Sequence, residues 1–237
     1  MTFLEIPALN NLFVSFFSNI DKFVFSIFPT KNISVGLSII IMTIIIRTLL
    51  VPLYVTQMKS MNGMSKMGPE AKKLQTKYKN DPKKLQEETS KLYKEYGVNP
   101  LGGCLPLLFQ MPILLALYNV FYTLHLSGIS FLWIHDLSKS ASMADPTSYI
   151  LPIVSALTTY LSGMLMSLNT TDEAQRKQSS TMNIVMSVVL LFMSIKFNAA
   201  LVLYWVTGNI FQVIQSRVVL TILNRNDNTP MKVDSSK

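Results

Sequence analysis

The sequence predicts an all-α membrane protein: five transmembrane helices, a cytoplasmic helical hairpin and an N-terminal amphipathic helix. Apolar runs of about 20 residues, the length a helix needs to cross a bilayer core of ~30 Å, recur along the chain. Charged residues make up only 14% of the 237 residues, against 49% hydrophobic, whereas soluble domains carry about 25% charged. The basic residues behind the net charge of +8 lie between the apolar runs, most densely in 57–99. With a mean hydropathy of +0.35, there is too little polar surface for a soluble globule of this size.

Residues 1–34 form the first segment. Leu12, Phe13, Phe16, Phe17, Ile20, Val24 and Ile27 recur at helical spacing, with Asn11, Ser15, Ser18, Asn19 and Asp21 between them. That pattern suits an amphipathic helix lying in the membrane interface, a further span being the alternative. A basic n-region is missing and Glu5 and Asp21 interrupt the apolar stretch, so the segment does not read as a secretory signal. The spans follow as TM1 at 35–56, TM2 at 100–124, TM3 at 149–168, TM4 at 181–196 and TM5 at 199–220. Lys196-Phe197-Asn198 splits the last apolar run into two helices joined by a tight turn. TM4 reads as short, which would thin the bilayer or tilt its neighbours. Between the spans lie the hairpin at 57–99, an extracellular loop at 125–148, a cytoplasmic loop at 169–180 and a cytoplasmic tail at 221–237.

Basic residues favour the cytoplasmic side. With the N-terminus outside, the inner segments hold ten lysines of 57–99, then Arg176 and Lys177, then Arg217, Arg225, Lys232 and Lys237. The outer side keeps only Lys22, Lys31, Lys139 and Lys196. The chain therefore reads as N-out, C-in.

The hairpin begins with a helix from Gln57, expected to break at Gly68-Pro69 and resume towards Lys79. Asn80-Asp81-Pro82 reads as a turn and helix start, with Asp81 capping the amides and Pro82 at the first helical position. Glu87 can pair with Lys83 or Lys91 along one face, Leu85, Thr89, Leu92 and Tyr96 form the opposite stripe, and Gly97 suits a left-handed helix end. Met58, Met61, Met64 and Met67 recur every third residue. Such a flexible, polarisable row can grip varied apolar segments, or can rest on headgroups or on the second arm. Lys72, Lys73, Lys83 and Lys84 are candidates for contact with ribosomal RNA, or with anionic lipid.

Arg47 stands inside the run Ile39–Val51. Placing a guanidinium near the bilayer centre costs about 2.5–3.5 kcal/mol on insertion scales, so it must pair, snorkel or line water. Asp and Glu are absent from the expected spans, and snorkelling remains open. Polar stripes on other spans offer walls for a wet cavity: Tyr204, Gly208, Gln212 and Gln215 with Thr207; Ser155, Thr158, Thr159, Ser162 and Met166; Gln110, then Asn119, Tyr122 and Thr123; and Thr43 one turn from Arg47. Helix–helix hydrogen bonding is the plainer role for any one of them. Together they indicate a positively charged hydrophilic groove rather than a through-pore.

The run Asn99-Pro100-Leu101-Gly102-Gly103-Cys104-Leu105-Pro106-Leu107-Leu108-Phe109-Gln110-Met111-Pro112-Ile113 resembles the signature entering the second core helix of the YidC/Oxa/Alb membrane protein insertases. Trp133-Ile134-His135-Asp136-Leu137-Ser138 resembles that family's outer loop, and Leu201-Val202-Leu203-Tyr204-Trp205 with Gly208-Asn209 its last core helix. Arg47 followed by Pro52, and the basic hairpin after it, match as well, so the likeness covers about 35–220 in order and spacing. The resemblance implies a five-helix core around a cytoplasm-open groove, with Arg47 as the groove arginine and Thr43, Gln110, Met111, Tyr204 and Trp205 facing the groove or the substrate path. Asn119, Thr159, Gln212 and Gln215 join this set from the polar stripes. It further implies nascent membrane proteins as substrates, the ribosome, the Sec translocon, the signal recognition particle pathway and the phospholipid bilayer as partners, and a bacterial inner-membrane location. The chain departs from the family's longer forms in having no large outer domain, and its residues before the last helix lack a Pro-Gly pair.

Other classes fit less well. A small transporter or channel commonly shows inverted repeats or paired intramembrane charges, and only one such charge is present. An intramembrane protease needs Ser with His or Asp at membrane depth, whereas His125 and His135 fall in or near the outer loop. A phosphate-binding Gly-rich loop and a metal-ligand cluster are both lacking, and the one cysteine, Cys104, excludes an intrachain disulfide. The reading expects no catalytic residue, metal or cofactor.

Overall fold

In the computed structural model the backbone is described for residues 7–99, 105–167 and 173–227, and side chains within 10–99, 110–165 and 176–222. The signature residues Pro100, Gly102, Gly103 and Cys104, the stripe residue Met166 and the tail from 228 onward lie outside the described residues. Eight α-helices account for most of what is described: α1 Pro7–Ile27, α2 Lys31–Leu49, α3 Val51–Lys77, α4 Pro82–Glu95, α5 Leu105–Thr123, α6 Ile150–Ser167, α7 Glu173–Lys196 and α8 Ala199–Asp227. A 3₁₀ turn, Pro146–Tyr149, leads into α6.

The break between α2 and α3 falls at Leu50 (φ −86°, ψ 1°), inside the expected TM1. Pro52 causes it, having no amide to donate to the carbonyl four residues back and a ring that crowds that carbonyl. The expected break at Gly68-Pro69 is absent: α3 runs through Pro69 to Lys77. Packing on α4, and on Tyr96 and Val98 just after it, holds α3 on both sides of the proline. Met67 is buried, Tyr96 Oη donates to Glu70 Oε1 at 2.9 Å, and a Cβ on Gly63 would lie 2.5 Å from Val98 Cγ2. The turn into α4 forms as expected, with Asp81 accepting from the Lys84 amide at 3.0 Å and Pro82 in the first turn. The ion pair on α4 joins Lys91 to Glu88 at 2.6 Å, three apart, rather than to Glu87.

α7 also differs from expectation. It starts at Glu173, within the segment expected as loop, and extends over 24 residues. At 1.5 Å per residue it is about 36 Å long, but its first turns carry Glu173, Arg176 and Lys177, so the added length is polar and the apolar stretch stays as short as expected. Among the described residues, three helical stretches are long and apolar enough to cross a membrane: Lys31–Leu49, Pro146–Leu165 and Arg176–Lys196. α8 carries Thr207, Asn209, Gln212 and Gln215 along its length, which lowers its hydropathy, and side chains of α5 are described only from Gln110.

α1 lies against α2 and α5. Asn10 reaches Asn119 at 3.5 Å, Phe17 meets Phe121 edge to face at 6.1 Å, and Asp21 binds Lys31 at 2.5 Å and the Ser34 hydroxyl. Asn10 and Phe17 are about 10 Å apart along a helix, yet their partners on α5 are two residues apart. α1 therefore crosses the end of α5 instead of running beside it.

The main core begins at the same end and runs on to Ile46, Tyr204 and Val206 beside Arg47. Val35, Ile39, Leu117, Val120, Leu201 and Val202 are buried together with Leu126, Phe131, Ile134 and Leu137 from the loop after α5. Phe131 seats on α2 where Gly36 offers no side chain. The same loop caps α8: Lys139 and Leu137 carbonyls accept from the Ala199 and Ala200 amides at 2.8 and 2.9 Å, and Asn198 Oδ1 accepts from the Leu201 amide at 3.0 Å. This end of the bundle is closed by packed side chains. Among the described residues, a small second cluster lies at the other end, formed by Tyr54, Met58 and Val219.

Candidate functional site

Arg47 stands in the last turn of α2 and leans across to α8. A Cβ on Gly208 would lie 2.8 Å from its Nη2, 3.1 Å from its Nε and 3.3 Å from its Cζ, so the guanidinium plane rests on that glycine. Its Nε is buried with no hydrogen-bond partner among the described residues. A cavity of about 50 Å³ adjoins it, lined by Arg47, Leu50, Leu53, Tyr54, Gln57, Gln110, Ile113 and Gln215. That space exceeds the ~10–15 Å³ of probe volume one water needs. Gln215 is 8% exposed, and its Nε2 likewise has no partner. Arg47 and Gln215, which both line this small hollow, thus each carry a buried donor without a partner among the described residues, and so does the Tyr54 hydroxyl beside them. Leaving each unsatisfied costs about 1–3 kcal/mol, so water or another acceptor belongs there.

One turn before Gly208, Tyr204 is fully buried, and its hydroxyl accepts from Gln110 Nε2 at 3.0 Å, tying α5 to α8 beneath the arginine. Thr43 is buried one turn before Arg47, but its hydroxyl donates to its own helix, to the Ile39 carbonyl at 2.6 Å. Trp205 packs on the main core. Met111 is 46% exposed on the outside of α5, and Gln212 is half-buried. Asn119 sits at the closed end against α1, half a helical turn away from Gln110 in azimuth. Thr159 pairs with α8: Asn209 Nδ2 donates to it at 2.7 Å and to Thr158 at 3.2 Å. The structure therefore gathers Arg47, Gln110, Tyr204 and Gln215, and leaves Asn119 and Thr159 in helix contacts elsewhere.

In the hairpin Met58 and Met67 are buried, Met58 beside Tyr54 and Val219, while Met61 and Met64 are half-buried. Lys72, Lys73, Lys83 and Lys84 are exposed, and Lys84 with Lys77 lies over the Tyr78 ring at 5.5 and 5.2 Å. Tyr54, Gln57 and Leu50 were not singled out from sequence. A signal existed: at three, seven and ten residues beyond Arg47 they share its face if the helix direction continues through Pro52.

A larger cavity, about 590 Å³, lies at the closed end between the loop and the starts of α6 and α8. Its ionisable groups satisfy one another. The Asp136 carboxyl is raised by burial, but amide and hydroxyl bonds from Ser138, the Gly128 amide and Lys139 outweigh this and hold it below the usual carboxylate range. Asp145 is lowered by its Thr147 and His135 hydrogen bonds. Among the described residues, His, Cys, Asp and Glu form no group of three that could hold a metal.

Comparison with known proteins agrees with this architecture. The profile of the 60Kd inner membrane protein family matches residues 27–226. The chain is 61% identical over 217 residues to a protein named membrane protein insertase YidC from Clostridium acetobutylicum, covering 92% of this chain and 85% of that one. It is 47% identical to the protein of that name from Clostridium tetani, covering 88% and 91%. A crystal structure described as active YidC insertase with the first transmembrane domain resolved superposes with a TM-score of 0.66 at 30% identity, covering 90% of this chain and 47% of that one, so the chain spans about half of that larger protein. The chain belongs to the 60Kd inner membrane protein family.

Proposed function

We propose that the protein is a membrane protein insertase of the bacterial inner membrane, receiving nascent membrane proteins in a hydrophilic groove centred on Arg47. The observation that carries this reading is a buried guanidinium Nε without a partner among the described residues, on a residue that lines a small hollow with Gln57, Gln110 and Gln215 at the hairpin end of the bundle. The five-span, N-out and C-in arrangement supports it, because the excess of basic residues then puts the Arg47 end on the cytoplasmic side. α1, crossing the end of α5, suits the outer interface.

The barrier to insertion is the transfer of a substrate's polar backbone and acidic side chains through hydrocarbon, several kcal/mol for each unsatisfied group. A groove entered from the cytoplasm shortens that path. Arg47 attracts acidic residues of the translocated segment and keeps water in the hollow. The substrate's apolar helix then partitions sideways into lipid, which supplies the driving free energy together with the membrane potential. This route needs no covalent step. The exposed lysines Lys72, Lys73, Lys83 and Lys84 suit docking to the ribosome or to anionic headgroups, and the hairpin stands where the Sec translocon or the signal recognition particle pathway would deliver substrate.

The test uses proteoliposomes and two substrates differing only in an acidic or neutral translocated tail. Arg47→Ala lowers insertion of the acidic-tail substrate selectively, and Arg47→Lys largely restores it. Equal insertion of both substrates by wild type and Arg47→Ala would remove the groove role from Arg47. A small channel would instead show ion conductance in the same vesicles.

A further inference from the structure

We propose that Gly208 is the positioning residue of the groove: its missing side chain is the seat that holds the Arg47 guanidinium against α8. The inference rests on the reading of Arg47 as the groove cation. Glycine is a poor choice in the interior of a 29-residue helix, since it costs backbone entropy that alanine does not. A local backbone reason is lacking, because the described glycines with positive φ are Gly97 and Gly128, not Gly208. What the missing side chain makes room for is on α2. The three heavy atoms nearest to a Cβ built at Gly208 are Nη2, Nε and Cζ of Arg47, at 2.8, 3.1 and 3.3 Å. By contrast, a Cβ at Gly63 would meet Val98 and one at Gly163 would meet Asn183, both packing contacts between elements. Gly208 is the described helical glycine whose space is filled by a cation.

The consequence is specific. An alanine methyl occupies the place where the guanidinium lies, and the atoms it displaces are the far end of a flexible side chain. The fold can therefore absorb Gly208→Ala, and alanine is the better helix former, but the charge must move off α8. The flat guanidinium is the group that needs a flat seat. A lysine ammonium at position 47, a compact charge on a flexible stem, does not.

The test is a double-mutant cycle in proteoliposomes with the acidic-tail and neutral-tail substrates. Gly208→Ala in the Arg47 protein is expected to lower acidic-tail insertion about tenfold, less than the ~100-fold that misplacing a group by an ångström can cost an enzyme, and to lower neutral-tail insertion much less. In Arg47→Lys and Arg47→Ala backgrounds the same substitution is expected to add less than about twofold, the non-additivity of two residues acting as one unit. Thermal unfolding of each variant in detergent reports the fold. An equal loss for both substrates, or the same fold-loss in every Arg47 background, would make Gly208 a packing residue only and overturn the inference. If Arg47→Ala itself fails to distinguish the tails, the groove reading falls. If it does distinguish them while Gly208→Ala does not, only the seat falls.

Discussion

Arg47 shows how one residue can be read from sequence while its surroundings cannot. A cation in an apolar run, unmatched by any carboxylate, already demands water or a polar wall. Which polar residues make that wall depends on helix rotation and crossing, and neither is written in one helix's own spacing. Gln110, Tyr204 and Gln215 meet around the arginine, whereas Thr159 and Asn119, equally polar and equally regular in spacing, bond to Asn209 and Asn10. Asn209 itself bridges α8 to α6 through two threonines. Asn209→Ala is expected to destabilise the bundle by about 0.6 kcal/mol, with a ceiling of about 1.7 for such interhelical bonds, measured by reversible unfolding in bicelles. Asp136 makes a pH prediction. Its folded-state pKa lies below the unfolded value, so its bonds stabilise the loop after α5 above about pH 4. That contribution is lost as pH falls through the folded value. Protection of the Gly128 and Ser138 amides, which donate to it at 3.2 and 2.9 Å, should fall below about pH 4 in hydrogen exchange. Asp136→Asn should remove that dependence.

At the scale of elements, the local signals were legible and the boundaries were not. Asp81-Pro82 and Gly97 mark α4 from both ends because capping chemistry is local. The Val98 amide reaches back to the Tyr93 carbonyl at 2.9 Å across Gly97, whose φ is +61°, and this delivers Val98 onto Gly63. An alanine at 97 pays for the left-handed conformation, about 1 kcal/mol, so Gly97→Ala should loosen the arms. Faster hydrogen exchange along α4, without change in α5 to α8, is the expected outcome. Pro69 was misread because a proline in a surface helix is costly only locally, and contacts on both sides with α4 and the residues just after it override it. The start of α7 was misread because its polar first turns continue as helix where hydropathy alone marks a loop. Pro52 acts as expected of proline, yet the chain resumes as helix on the same face, so Tyr54 and Gln57 reach the arginine's cavity.

For the molecule as a whole, the asymmetry of packing matters more than the number of helices. The loop after α5 folds into the bundle, caps α8 and buries Leu126, Phe131, Ile134 and Leu137, sealing one end. The opposite end holds the cavity at Arg47 and the small cluster at the root of the hairpin. The sequence made the helical class, the hairpin and the basic asymmetry visible, and among the described residues three helices are long and apolar enough to cross a membrane. Which residues plug one end was not legible, because they lie in a loop, where burial depends on how the loop folds back onto the helices and not on helical periodicity.

Site-directed thiol labelling tests that asymmetry most directly. With Cys104 replaced, single cysteines at Tyr54, Gln57 and Gln215 are compared with cysteines at Val35 and Leu117, in vesicles exposed to a membrane-impermeant maleimide on one side at a time. The three cavity positions should react from the cytoplasmic side and the two core positions from neither. Unreactive cavity positions, or labelling of them from the outer side, would contradict a wet hollow around Arg47 that opens only to the cell interior.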